Sequence, residues 1–189
     1  EISACLVGSE MCIRDSYEAA TLDARLINAK GVILAQLTQP VSVPANAAQS
    51  IGTFRAPLTG NLDLTDVFLL DLALKVGETT ARTQYVFTRA ETLAPLYALP
   101  TTQLKVEQRA RAMTITNGGD HVALLVWLED ARDLTAAGFV YFEDNYFCLL
   151  PGEQRIVLVS WCDVPQAERQ VRIRAWNTNA LVIKAWDSD

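Results

Sequence analysis

The stretch GFVYFEDNYFCLLPGEQRIVLVSW, residues 138–161, decides how the rest of this chain is read. An acidic aromatic run leads into Pro-Gly-Glu and then a strongly apolar segment. Two arrangements produce that order: an active-site loop with paired carboxylates, or a turn between strands of a β-sandwich. A retaining glycosidase needs two carboxyl groups about 5–5.5 Å apart, and an inverting one about 6.5–9.5 Å, facing one bond. Glu143 and Asp144 are adjacent on an extended segment, so their side chains leave opposite faces. Glu153 follows a Pro-Gly turn, where a carboxylate is ordinarily just solvated. No catalytic residue is assigned to the motif.

The structural reading accounts for more of the same residues. Asp144 and Asn145 can bond back to nearby amides and organise a tight loop. Tyr146 and Cys148 alternate with Phe147 and Leu149, so a bulky side chain can enter a core. Pro151 fixes φ, and Gly152 permits the positive φ of a type II turn. The segment IVLVSW then returns as a buried strand, which makes the motif a hairpin with an anchored entrance.

Outward from the motif, the chain reads as strands and turns. Leu22, Ala24 and Leu26 alternate with Asp23 and Arg25, the period of a half-buried strand. NAKG (28–31) turns the chain and VILAQL (32–37) returns, with a break at Pro44 and Asn46. Phe68, Leu70, Leu72, Leu74 and Val76 point one way, and Gly77-Glu78 joins them to Thr83, Tyr85 and Phe87 in a hairpin. Residues 88–100 break the alternation at Pro95 and Pro100 and contain the expected linker. Beyond it come QLKVE, RAMTIT, the turn NGGD (117–120), and HVALLVWLED, in which Val122, Leu124, Val126 and Leu128 alternate against Trp127 and Glu129. QRIVLVSW, QVRIRAW and ALVIKAW complete the set. The expected fold is all-β: two tandem immunoglobulin-like β-sandwich domains. Residues 17–94 form a partial sandwich expected to lack its N-terminal strands, 95–100 the linker, and 101–189 a sandwich of about seven strands.

Composition narrows the function. The 189 residues are half hydrophobic and a fifth charged, with a formal charge of -6 and no basic stripe, so nothing is arranged to neutralise phosphates and nucleic acid is not expected as a partner. No apolar run is long enough to span a membrane as a helix. Cys5, Cys12, Cys148 and Cys162 match no zinc spacing, and pairing of Cys148 with Cys162 is left open. His121 follows a Gly-Gly turn and reads as solvated. No phosphate-binding or nucleophile-elbow motif occurs, and Ser42 and Ser160 have no identifiable base, so no cofactor or metal is expected. Residues 1–16, EISACLVGSEMCIRDS, have no cationic start or apolar core of a signal peptide. They resemble translated sequencing-adapter read-through and are read as a non-native segment, with the natural chain expected to begin near Tyr17 as a fragment.

Asp144, Asn145, Tyr146, Phe147, Leu149, Leu150, Pro151, Gly152 and Glu153 carry a resemblance. FEDNYFCLLPGEQRIVLV is similar to the signature of the C-terminal immunoglobulin-like domain in the β-mannosidase branch of glycoside hydrolase family 2. PVSVPANAAQSIGTF, DVFLLDLAL and TQYVFTRAETLAP look, more loosely, like the preceding sandwich domain of those enzymes. An acidic residue is common where Cys148 stands, which is a departure. The resemblance implies a parent that removes terminal β-D-mannose (β-glucosamine in some relatives), with both catalytic glutamates in a (β/α)8 barrel. No barrel is present, so none of its catalytic residues carries over. The chain is then expected to be a non-catalytic portion that packs on and supports that barrel, inactive alone. Relatives occur in several compartments, so localisation is not assigned.

The rival expectation is an autonomous carbohydrate-binding or cell-surface interaction module. Trp127, Trp161, Trp176 and Trp186 could stack on sugar rings, although strand aromatics more often pack. Trp176 and Trp186 share strand registers with Arg172, Arg174 and Lys184. Trp176, Trp186, Arg172 and Arg174 are therefore the candidate interface or glycan contacts, with a cation–π pair among them.

Overall fold

Alternation from Leu22 to Leu26 and from Phe68 to Leu72 lays apolar side chains along one face of an antiparallel sheet. The structure, a computed structural model, describes residues 17–44, 50–55, 67–89 and 92–184. The segment 1–16 and Trp186 therefore lie outside the described residues. Among the described residues the chain is all-β apart from one helical turn, α1 (Ala94–Tyr97), and a short 3-10 turn at Gln166–Glu168. It divides into two compact units, one holding the residues up to Asn28 and from Val32 to Glu91, the other Ala29–Gly31 together with the residues from Thr92 onward.

The first unit contains β1 (Tyr17–Asn28), β2 (Ile33–Val43), β3 (Val67–Val76) and β4 (Thr79–Thr88), in the sheet order β2-β1-β3-β4. Every pairing is antiparallel, and Ala24 stands opposite Leu37 on one side and Leu72 on the other. Pro40 sits in β2, an edge strand, where a missing N–H costs no ladder bond. Ala24, Leu70 and Leu72 are buried together with Leu37, Phe54 and Phe87 against them. Register fixes the other face as well: Asp71 lies opposite Arg25, and Ala73 opposite Arg82. Asp71 is 1% exposed and accepts from both the Arg25 and Arg82 guanidinium groups.

The second unit is a sandwich. Its strands are β5 (Leu104–Arg109), β6 (Ala112–Asn117), β7 (Ala123–Asp130), β8 (Phe139–Phe142), β9 (Phe147–Leu149), β10 (Gln154–Cys162), β11 (Val171–Arg174) and β12 (Leu181–Ile183). One sheet runs β5-β6-β10-β8 and the other β12-β11-β7-β9. Met113, Ile115, Val157 and Val159 from the first meet Val126, Leu149, Val171 and Ile173 from the second in one core.

Simple alternation fails in one strand. It expects Val122, Leu124, Val126 and Leu128 on one face, but the core takes Ala123, Val126 and Leu128. The β7–β9 register slips between Ala123 and Val126, and Leu125 has a φ of 51°. That extra residue is a bulge, which reverses side-chain phase on either side of itself.

The Asp71 carboxyl is subject to opposed effects. Burial raises its pKa, but hydrogen bonds and charge from Arg82 and then Arg25 prevail and hold it below the ordinary 3.8. Its contribution to stability is therefore present above that ordinary value and is lost as pH falls through the lower folded one. Asp71→Ala leaves two partly buried guanidinium groups facing each other and is expected to cost about 3 kcal/mol. Urea unfolding followed by far-UV circular dichroism checks this; an unchanged midpoint contradicts it.

Candidate functional site

The motif 143–153 contains the short edge strand β9 and turns the chain at both of its ends. At its entrance, the backbone N–H of Asn145 donates to Asp144 Oδ1 (2.8 Å), and Tyr146 takes a φ of 59°. The Asn145 side chain turns toward β7. Its Nδ2 donates to the Leu128 carbonyl (2.9 Å), and its Oδ1 accepts from the Leu128 N–H (2.8 Å). The β7–β9 ladder ends at Val126 opposite Phe147, so this side-chain amide adds one more rung where the backbone has turned away. Asp144 forms an ion pair with Arg155 of β10, whose guanidinium also lies 4.9 Å from the Phe147 ring centre. Phe147, Cys148 and Leu149 are all buried, and Tyr146 is exposed. Cys148 and Cys162 are not paired in a disulfide, and the Cys148 sulfur accepts from the Leu125 N–H at the bulge (3.4 Å).

The exit is held as tightly. Gly152 has a φ of 75°, and the Glu153 N–H closes the turn on the Leu150 carbonyl (2.9 Å). Glu153 Oε2 accepts from the Leu150 N–H (2.9 Å), so this carboxylate caps the turn. Asn117, at the end of β6, is fully buried and exchanges backbone bonds with Gly152 and Glu153. Its Nδ2 donates to the carbonyls of Leu149 (2.9 Å) and His121 (2.7 Å). Its Oδ1 accepts from Thr102 Oγ1 (2.8 Å) and the Gly119 N–H (3.2 Å). The motif residues Asp144, Asn145, Tyr146, Phe147, Leu149, Leu150, Pro151, Gly152 and Glu153 thus form one backbone clamp. Glu143 is exposed.

One partner of the clamp, Asn117, and a second asparagine elsewhere in the unit, Asn177, are not marked by the sequence pattern. NGGD was read only as a turn, yet Asn117 is the hub beneath the Pro-Gly corner. Asn177 plays a similar part after β11: it donates to the carbonyls of Pro100 (2.9 Å) and Val122 (3.0 Å) and accepts from the Leu124 N–H (3.1 Å). The available signal was an asparagine at a strand terminus beside Gly-Gly or Thr, a placement that favours side-chain bonds to backbone.

The other candidates separate into two groups. Arg172 and Arg174 share Glu129, at 3.0 and 3.6 Å, and the Arg174 guanidinium lies 4.4 Å from the Trp127 ring centre. The cation–π partner is thus Trp127. Trp176 packs edge-on against Tyr97 (5.4 Å between centroids) and donates its indole N–H to the Leu96 carbonyl (2.9 Å).

An edge-clamped, two-sheet immunoglobulin-like sandwich is the class that this fold and motif define. Residues 98–179 match the Ig_mannosidase family model, an Ig-fold domain. No curated protein sequence matches the chain. Among solved structures, the chain is similar to exo-chitosanase CsxA from Amycolatopsis orientalis. In a complex with PNP-beta-D-glucosamine the TM-score is 0.68 at 18% identity, covering 90% of this chain and 24% of that one. A further CsxA crystal structure gives 0.67 with the same identity and coverage. This chain therefore spans about a quarter of the length of those proteins.

The clamp predicts a ranking of substitutions. Asn145→Ala strips both backbone groups of Leu128 of their partners and is expected to cost about 1–3 kcal/mol. Asp144→Asn removes a partly exposed ion pair, keeps an acceptor oxygen, and is expected to cost less than about 1 kcal/mol. All four tryptophans lie beyond residue 100, so fluorescence-detected urea unfolding reads this unit. Equal costs, or the reverse order, contradict the assignment.

Proposed function

We propose that this chain is a non-catalytic, sandwich-built portion of a family 2 β-glycosidase, packing on and supporting a catalytic barrel carried elsewhere in the parent chain. One observation carries the reading. In the segment that most resembles the glycosidase signature, Asp144 and Glu153 are engaged in an ion pair and a turn cap. The Ig_mannosidase match over residues 98–179 supports the same assignment. On this reading, residues 17–94 and 101–189 are consecutive sandwich domains joined through 95–100. The parent removes a terminal β-D-mannose or, as the CsxA likeness suggests, a β-D-glucosamine, by double displacement on glutamates outside this chain.

A second reading rests on the Tyr97–Trp176 pair, whose exposed rings could stack on a sugar. It makes the chain a carbohydrate-binding module, and saturable binding to mannan or chitosan that disappears in Trp176→Ala would favour it.

The deciding experiment recovers the natural transcript around Tyr17 and expresses both the encoded parent and the 189-residue chain. Aryl β-mannoside and aryl β-glucosaminide are the substrates. The parent is expected to turn over one of them and the 189-residue chain neither, and Glu143→Gln and Glu153→Gln are expected to leave parental turnover unchanged. Hydrolysis by the isolated chain, abolished by either substitution, overturns the proposal.

A further inference from the structure

Asn117 and Gly118 form the chain's single Asn-Gly step, at the point where β6 ends beneath the Pro-Gly corner. In an open chain this dipeptide is chemically unstable. The Gly118 nitrogen attacks Cγ of Asn117, the bond from Cγ to Nδ2 breaks, and ammonia leaves with the amide proton. Water then opens the five-membered imide at either carbonyl. The product is aspartate or, with the main chain rerouted through Cγ, isoaspartate. No electron changes hands: one water enters and one ammonia departs. Glycine eases the attack because no Cβ shields its nitrogen.

The folded unit restrains each group in that reaction. Asn117 is fully buried, which keeps bulk water from the imide. The attacking nitrogen is committed, because the Gly118 N–H donates to the Gln103 carbonyl (2.8 Å). The leaving group is held as well: Nδ2 donates to the Leu149 and His121 carbonyls (2.9 and 2.7 Å). Bonds to Oδ1 from Thr102 Oγ1 (2.8 Å) and the Gly119 N–H (3.2 Å) fix the plane of the amide. The backbone of Asn117 is tied to the corner, its N–H on the Glu153 carbonyl (3.0 Å) and its carbonyl under the Gly152 N–H (2.9 Å). Ring closure requires rotation of the Asn117 side chain and of its backbone ψ, and each rotation breaks several of these bonds together.

The product cannot rebuild the site. Aspartate at 117 sets a carboxylate oxygen where Nδ2 donated, against two carbonyl oxygens, and a buried charge without a partner is costly. Isoaspartate lengthens the main chain by one carbon between β6 and Gly118. The bonds from residue 117 to the corner and from Gly118 to Gln103 then lose their common register. We propose that Asn117–Gly118 is a gated deamidation site: it converts from states in which the Pro-Gly corner has opened, and conversion stops the corner from closing again. The hydrogen bonds that keep β9 in place thus also guard the chain against a one-way covalent change. This site is independent of any activity of the parent.

Peptide mapping by mass spectrometry tests the site on the 189-residue chain, aged at neutral pH with and without urea. The tryptic peptide Ala112–Arg132 has Asn117 as its only asparagine. It is expected to gain the mass of an amide-to-acid conversion at least about tenfold more slowly in the folded chain than in urea. Glu153→Ala removes the cap on the Leu150 N–H and is expected to raise the folded-state rate several-fold while leaving the rate in urea unchanged. Gly118→Ala is the chemical control. Gly118 lies outside the left-handed region, and an added Cβ meets the flexible end of Lys105, 2.9 Å from Cε. That substitution is expected to slow conversion in urea at least about tenfold, because the attacking nitrogen is then shielded. Equal rates with and without urea, or an unchanged folded-state rate in Glu153→Ala, overturn the gating. An undiminished mass gain for Gly118→Ala in urea overturns the site. Chain converted in urea and then returned to buffer is expected to melt below the unconverted chain, and an equal melting temperature overturns the claim that conversion keeps the corner open.

Discussion

The second unit depends on how a three-residue edge strand is kept in place. Among the described residues β9 pairs with β7 alone, and the bulge at Leu125 interrupts that ladder between its two pairs. Two asparagine side chains supply what the backbone cannot. Asn145 continues the ladder beyond Phe147 by binding both backbone groups of Leu128, and Asn117 holds the Leu149 carbonyl at the other end. Phe147 and Leu149 can then enter the core with Val157, Val171 and Ile173. Buried backbone groups left without partners are costly, so the polar residues of the motif serve an apolar end.

That constraint also bears on chemistry. A general acid or base must be free to meet a substrate proton. Asp144 is engaged with Arg155 and the Asn145 amide, and Glu153 with the Leu150 amide. These carboxylates shape two turns. Other charged groups of this unit are similarly committed: Arg132 to its own loop, Arg172 and Arg174 to Glu129.

The all-β architecture was legible because period-two alternation is strong in β1, β3 and β10, and because turn residues fall between them. The Pro-Gly corner was legible for the same reason, since few residues tolerate the φ of 75° found at Gly152. Three features were not. The bulge in β7 follows from a tertiary match between Ala123 and Leu149, which no local pattern encodes. The roles of Asn117 and Asn177 depend on carbonyls far away in sequence, such as Leu149 and Pro100. The cation–π partner of Arg174 was sought nearby in its own register, whereas strand pairing brings Trp127 opposite it.

Native-state hydrogen exchange at two amides tests the central claim most directly. The Leu128 N–H is bonded to the Asn145 side chain and the Leu150 N–H to the Glu153 carboxylate. In the 189-residue chain both are predicted to exchange slowly, with Leu128 released in Asn145→Ala and Leu150 in Glu153→Ala. Exchange of both in the unsubstituted chain as fast as in an open loop would contradict the account.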